Sequence, residues 1–241
     1  MADWKRQALE HARREGEREA CGLVVVIAGR QRYMPCRNSS PAPAETFMID
    51  PLDWAAAEDQ GAIIGVVHSH PHGDVAPTPD DLESATATGL PWWILTPDDE
   101  WFSWYPPSYR RPLAGRRWEW GRDDCWALVR DWHGRRGLVL RDWERPATLE
   151  DFNTAPMFDG LWRGAGFVEV PAGEPWRQGD VALMAIGDRA MAPNHVGVID
   201  GSRLWHHLAH RLSSRDQLAP FVASIYKVVR YADGSPLRAA G

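Results

Sequence analysis

Cysteine is scarce. Cys21, Cys36 and Cys125 are the only three in 241 residues, and an odd number that cannot all pair excludes a disulfide-stapled scaffold. The N-terminal stretch lacks the apolar core of a secretory signal, which leads to the expectation of synthesis in a reducing cytosol. No run approaches the roughly eighteen apolar residues of a membrane span, so none is expected. Positive charge is not in excess either: the formal net charge is −6, so no global electrostatic pull toward nucleic acid is expected. What is present is the composition of a globular chain, 44% hydrophobic and 25% charged, with length enough for two modest domains. Tryptophan is abundant, and most copies are expected in the core, although exposed ones would suit carbohydrate or assembly contacts.

Residues 63–84, IIGVVHSHPHGDVAPTPDDLES, are hard to explain as ordinary folding. The apolar run Ile63–Val67 reads as a buried strand, on which every second side chain shares a face, so His68 and His70 point the same way. Two imidazoles at the end of a buried strand are costly to desolvate unless their nitrogens are satisfied, and a divalent metal does that well. Zinc takes nitrogen, sulfur and carboxylate ligands, and catalytic sites use three protein groups. Asp81 is the best-placed third ligand. Thr78 and Pro79 read as the N-cap and first position of a helix, which puts Asp81 in its first turn, within reach of the strand end. His72 is a ligand by type only and is read as solvated.

Around this stretch, Trp4, Ala8, Leu9 and Ala12 recur at helical spacing over residues 2–16. Residues 19–28 and 32–37 read as strands paired across Gly29-Arg30, 46–49 as a short third strand, and 51–60 as a helix capped by Asp50. A helix from Pro79 to about Thr88 and strands at 92–95 and 101–104 follow. Helices and strands thus alternate around one mixed sheet.

The spacing His-Ser-His, seven residues, hydroxyl, two residues, Asp resembles that of the JAMM (MPN-plus) metalloproteases, with Thr78 where the family usually has Ser. Glu19-Ala20-Cys21-Gly22 resembles the family's Glu-x-Cys-Gly entry into its first strand. The resemblance implies a Zn2+ ion on His68, His70 and Asp81, Glu19 as general base and Thr78 as a stabiliser of the tetrahedral intermediate.

Residues 105–117 carry three prolines and a basic cluster, and they read as a solvated boundary. The expected division is 1–106, a linker over 107–116, and 117–241. In the second part Asp123 or Asp124 caps a helix with Cys125 in its first turn, where the helix dipole is expected to lower the thiol pKa. The run His195–His206 alternates around Asp200-Gly201, a two-residue turn signal. With those two as the turn, His195 would lie directly opposite His206. One imidazole would then serve as base for Cys125 and the other as its orienter, with His207 the second choice for orienter.

These features resemble the NlpC-type cysteine peptidases, a papain-like group whose Asp-Cys opens a helix and whose His and third polar residue lie on successive strands. Gln178–Leu183 resembles the family's Gly-Asp-apolar strand. Trp126 stands where many members have Ser-Gly, and no Tyr lies just upstream. The expected fold is therefore α/β plus α+β: a JAMM-type mixed sheet with flanking helices, then a papain-like helix on an antiparallel sheet.

The order of the two domains, with Asp-Cys-Trp-Ala-Leu-Val-Arg and Leu-x-His-His, resembles a family of phage tail-tip assembly proteins. That resemblance implies two hydrolase sites, tail-tip proteins as partners, peptidoglycan stem peptide as a substrate, and residence in the host cytoplasm during assembly, with the virion tail tip as a second location. A catalytically retired scaffold that only binds tail proteins is the alternative, but such a scaffold has no physical need for Glu19, His68, His70 and Asp81 together.

Overall fold

Apolar residues at helical spacing produce the first element, α1 (Asp3–Glu15), which buries Trp4, Ala8, Leu9, His11 and Ala12. Gly16 ends it at φ 62°, a left-handed value that costs glycine little. The computed structural model describes residues 2–148, 151–152, 157–187 and 192–232. It divides into two compact units, Met1–Gly115 and Arg116–Gly241.

In the first unit, β1 (Cys21–Ile27) and β2 (Arg30–Cys36) form a hairpin. Its turn is Ala28-Gly29, at φ 48° and 70°, one residue earlier than the Gly29-Arg30 expected from sequence. Two positive φ values match the right-handed twist of the flanking strands. Helix α2 (Pro51–Gln60) begins with Pro51 at its first position and with the Asp50 carboxylate accepting from the Leu52 N–H, a cap contributing about 1 kcal/mol. Then follow β3 (Ala62–Ser69), α3 (Pro79–Thr88), β4 (Trp92–Leu95) and β5 (Trp101–Trp104).

The strand order is β2-β1-β3-β4-β5. Only β3 and β4 run parallel, because α3 provides the crossover between them. Cys21, Leu23, Val25, Val66 and Trp92 form a core with Ala57 of α2 and Ala85 of α3. Trp4 of α1 packs instead on Trp93 and Trp101, whose side chains point from the opposite face by strand alternation.

The short strand expected at residues 46–49 is not a strand. Asn38 and Ile49 make an isolated bridge. The Asn38 side chain replaces the missing ladder: its amide donates to the Glu19 and Thr46 carbonyls, and its oxygen accepts from the Ser40 and Met48 N–H groups. Within the stretch read as a solvated linker, Leu113, Ala114 and Arg116 are buried.

In the second unit, α4 (Cys125–Gly134) is capped by Asp124, which accepts from the Ala127 N–H. Arg145 holds the same buried carboxylate at 2.9 Å, and breaking such a buried pair costs about 3–5 kcal/mol. After α5 (Met157–Gly164) the strands are β6 (Phe167–Glu169), β7 (Val181–Met184), β8 (His195–Asp200), β9 (Arg203–His206), β10 (Ser214–Gln217) and β11 (Ile225–Tyr231). They pair antiparallel throughout in the order β10-β9-β8-β7-β11-β6. Helix α4 packs on β8 and β9. The molecule is thus mixed α/β with two sheets, one per unit.

Gly65 tests how closely β3 and β4 approach. A Cβ there would sit 2.1 Å from the Trp93 ring and 2.8 Å from the Pro91 carbonyl. Gly65→Ala is expected to destabilise the first unit by about 1–3 kcal/mol, measured as a lower unfolding midpoint in urea.

Candidate functional sites

The first site is built by the pairing of β1 with β3, in which Cys21 lies opposite His68. One residue further, the Ala20 N–H donates to Ser69 Oγ and the Ser69 N–H donates to the Ala20 carbonyl. These bonds carry the chain so that Glu19 lies beside the imidazoles at the end of β3. Glu19 is buried, and burial pushes its carboxyl up to about 7; His70 opposes that shift and Asp81 adds to it.

His68 Nε2 and His70 Nε2 are 3.1 Å apart. Asp81 Oδ1 is 3.2 Å from His68 Nε2, and Oδ2 is 3.6 Å from His70 Nε2. Asp81 is delivered by the N-terminal capping box of α3. There the Thr78 N–H and hydroxyl donate to Asp81 Oδ2 at 2.8 and 2.7 Å, and Thr78 Oγ1 accepts from the Asp81 N–H. Burial opposes ionisation of Asp81, but bonds from His68, His70 and Thr78 hold its carboxyl far below the ordinary range. Burial lowers the pKa of His68, whereas the Asp81 bond raises that of His70.

Whether this set fits a metal is decided by its donor atoms. His70 Nδ1 lies 2.8 Å from the Asp74 carbonyl, which only accepts, so Nδ1 keeps a proton and Nε2 is the nitrogen whose lone pair becomes available to a metal when the ring is neutral. Two imidazole nitrogens and a carboxylate oxygen lie within 4.8 Å of one another, which is the donor chemistry that holds zinc and leaves a position open. Phe47 stacks on the His68 ring at 4.5 Å and Trp92 meets it edge-on, so two aromatic contacts hold the imidazole in place. A cleft of about 780 Å³ opens beside the cluster, lined by Glu19, His70, Thr78 and Asp81 together with Phe47 and Trp54. His72 is elsewhere, paired at 2.6 Å with the exposed Glu17.

In the second unit, β8 and β9 bring two imidazoles together, but not in the register expected from sequence. Asp200 pairs with Arg203, so the turn is Gly201-Ser202 and Gly197, not His195, lies opposite His206. Gly201 takes φ 61°, and glycine at the first turn position is itself a two-residue hairpin signal. Asp200 is retained in the strand because its carboxylate accepts from Trp205 Nε1, Arg215 and Gln178. The shift by two residues leaves His195 and His206 on one face as diagonal neighbours. His195 Nε2 is 3.2 Å from His206 Nδ1. His207 turns away and bonds the Arg211 carbonyl at 3.2 Å.

Cys125 opens α4 and is buried. Its sulfur meets the backbone N–H groups of Val196, the residue after His195, and of Trp126. These favour the thiolate, but desolvation, and then the Asp124 carboxylate, push the thiol up to about 12. The lowering expected from the helix dipole is therefore outweighed by burial. Burial likewise drives His195 well below the ordinary histidine range, with His206 and His207 adding to the effect. Thiol and imidazole thus rest uncharged.

One residue escaped the sequence reading. Asp216 Oδ2 lies 3.0 Å from His206 Nε2 and accepts from Ser214 Oγ at 3.1 Å. Its only signal was an aspartate inside a strand, a position that residue type disfavours.

Residues 1–106 match the family model described as prokaryotic homologues of the JAB domain. The chain is 34% identical over 230 residues to tail tip assembly protein K of Escherichia phage N15, covering 93% of each. It is 33% identical over 173 residues to the protein of that name from Escherichia phage lambda, covering 70% of this chain and 81% of that one. Over 80 residues it is 32% identical to a probable TtuB-protein conjugate cleaving protease of Thermus thermophilus, covering 31% of this chain and 54% of the relative.

The buried imidazoles of the second unit make its stability depend on acid. Burial lowers the pKa of His133, His195 and His207, the last to about 4 from an ordinary 6.5. The unfolded chain therefore takes up protons first, so stability is complete above pH 6.5 and is lost as the pH falls toward 4. His207 alone accounts for up to about 3 kcal/mol of that loss. Urea unfolding of His207→Gln, followed by tryptophan fluorescence from pH 7 to 4, is expected to show a correspondingly flatter profile than the wild type.

Proposed function

The chain belongs to the tail tip assembly protein K family of lambda-like phages, and from that premise we propose that it is a tail-tip assembly factor with two hydrolase sites, a zinc-dependent JAMM-type peptidase and an NlpC-type cysteine peptidase. It works in the host cytoplasm among tail-tip proteins, with the tail tip as its second location. The observation that carries the first site is the convergence of a buried Glu19 with His68, His70 and Asp81 at one end of β1 and β3. The Thermus relative, a probable conjugate-cleaving protease, supports a peptide or isopeptide bond as the target.

His68, His70 and Asp81 would hold the zinc, which when bound supplies Lewis-acid activation of water and of an amide carbonyl. Glu19, whose carboxyl titrates near neutrality, accepts a proton from the attacking water and returns it to the leaving nitrogen as the C–N bond breaks. Thr78, on the wall of the cleft, turns its hydroxyl from Asp81, where it rests, to donate to the developing oxyanion. His70 is kept in its ligand tautomer by the Asp74 carbonyl.

At the second site the Cys125 thiol gives its proton to His195 as sulfur attacks an amide carbonyl of a peptidoglycan stem peptide. His195 then protonates the leaving nitrogen, and water releases the acyl group. His206 orients His195. Burial of the thiol favours a second reading for this site alone, a retired enzyme kept as an assembly scaffold.

Two measurements divide these readings. Glu19→Gln is expected to retain about one zinc per chain by elemental mass spectrometry while losing roughly 10²–10⁴-fold in peptide hydrolysis, whereas His68→Ala loses the metal. A zinc-free wild type after reconstitution would overturn the first site. Murein digestion is expected to release stem-peptide fragments with wild type and none with Cys125→Ala; equal release by both proteins, or release by neither, would leave the scaffold reading for that site.

A further inference from the structure

Asp216, His206 and His195 form a hydrogen-bonded line on one face of β10, β9 and β8. Asp216 lies opposite Leu204, and His206 opposite Gly197, so each member is a diagonal neighbour of the next. The separations are 3.0 Å from Asp216 Oδ2 to His206 Nε2 and 3.2 Å from His206 Nδ1 to His195 Nε2. Both histidines are buried.

We infer that Asp216 is the positioning residue of the cysteine site, fixing the tautomers of both imidazoles so that His195 presents a free lone pair on Nδ1. The inference rests on the cysteine-site reading above and extends it to a residue outside the expected triad.

The reasoning follows from which atoms can donate. An ionised carboxylate only accepts, and Asp216 Oδ2 already accepts from Ser214 Oγ. A neutral His206 must therefore place its proton on Nε2, facing the aspartate. Its Nδ1 is then a lone pair and can only accept, so the bond to His195 requires the proton on His195 Nε2. A neutral His195 with Nε2–H has its remaining lone pair on Nδ1. The opposite assignment would set the His206 Nε2 lone pair against an anion in a buried site, where such a clash is poorly screened.

The same line stabilises the charged state that follows. When Nδ1 takes the thiol proton, the imidazolium keeps its Nε2–H bonded to His206, and the Asp216 charge is one ring away. This matters because thiol and imidazole both rest uncharged, so ionisation must be assisted at the moment of reaction. The other charged or titratable groups acting on the thiol and His195 are Asp124, Arg145 and His207, and none of them is changed in the variants below.

The test uses the full chain and does not depend on its substrate. Long-range ¹H–¹⁵N correlation spectra of the wild type at pH 7.5 are expected to show the Nε2–H tautomer for both His206 and His195. Alkylation of Cys125 by iodoacetamide, read by peptide mass mapping, forms the S–C bond and expels iodide while the thiol proton passes to His195. Asp216→Ala is expected to slow it roughly 10²-fold or more, the lower end of what a positioned general base contributes. Asp216→Glu is expected to recover part of the rate. A His206 Nδ1–H tautomer in the wild type, or wild-type alkylation rates in Asp216→Ala from pH 6 to 9, would overturn the inference. The wild-type spectrum decides the matter even if a variant fails to fold. A wild type that cuts no stem peptide but meets both expectations keeps the relay and loses only the peptidase reading.

Discussion

The pairing of β1 with β3 is the interaction on which the first site depends. Cys21 opposite His68, with the Ala20–Ser69 bonds one residue further, determines where Glu19 lies relative to the end of β3 that carries His68 and His70. A one-residue slip would turn every β3 side chain to the other face and take both imidazoles away from Glu19. The register is strongly specified because both faces of the sheet are covered, by α2 and α3 on one side and by α1 on the other. The packing that stabilises the unit and the geometry that supports its chemistry are therefore the same constraint.

The two sites handle charge differently. In the first, an ionised carboxylate is welcomed: the capping box and two imidazoles hold Asp81 ionised, while Glu19, buried nearby, titrates near neutrality. Two carboxyl groups pushed apart in this way are suited to different roles, one as ligand and one as proton carrier. In the second, burial disfavours the charged forms of thiol and imidazole alike. The backbone amides at the sulfur and the hydrogen-bonded line behind His195 are the contacts that oppose this. Asp124 is the tension in this arrangement: as a cap it holds α4 in place, and as a charge it raises the neighbouring thiol. Arg145 offsets part of that second effect while holding Asp124 in its buried position.

How much of this was legible depended on how local the determining physics is. The helices at 51–60 and 79–88 were readable from an Asp or Thr followed by Pro, because a cap and a first helical turn involve only adjacent residues. The convergence of His68, His70 and Asp81 was readable too, since alternation on one strand puts the two histidines on one face and a helix start delivers Asp81. Residues 46–49 were misread as a strand because their propensity is right. What replaced the ladder was a single side chain, Asn38, which no periodicity reports. The turn at Gly201-Ser202 was displaced from Asp200-Gly201 because Asp200 has partners on three other segments.

The sequence by itself therefore determined the helix starts, the alternating strands, the ligand types and their spacing, each governed by neighbours within a few residues. Only the tertiary structure decided the His195–His206 register, the place of Asp216 behind them and the protonation of the buried groups. Those depend on which strands lie side by side and on how completely water is excluded, and both are properties of the assembled sheet, absent from any single segment.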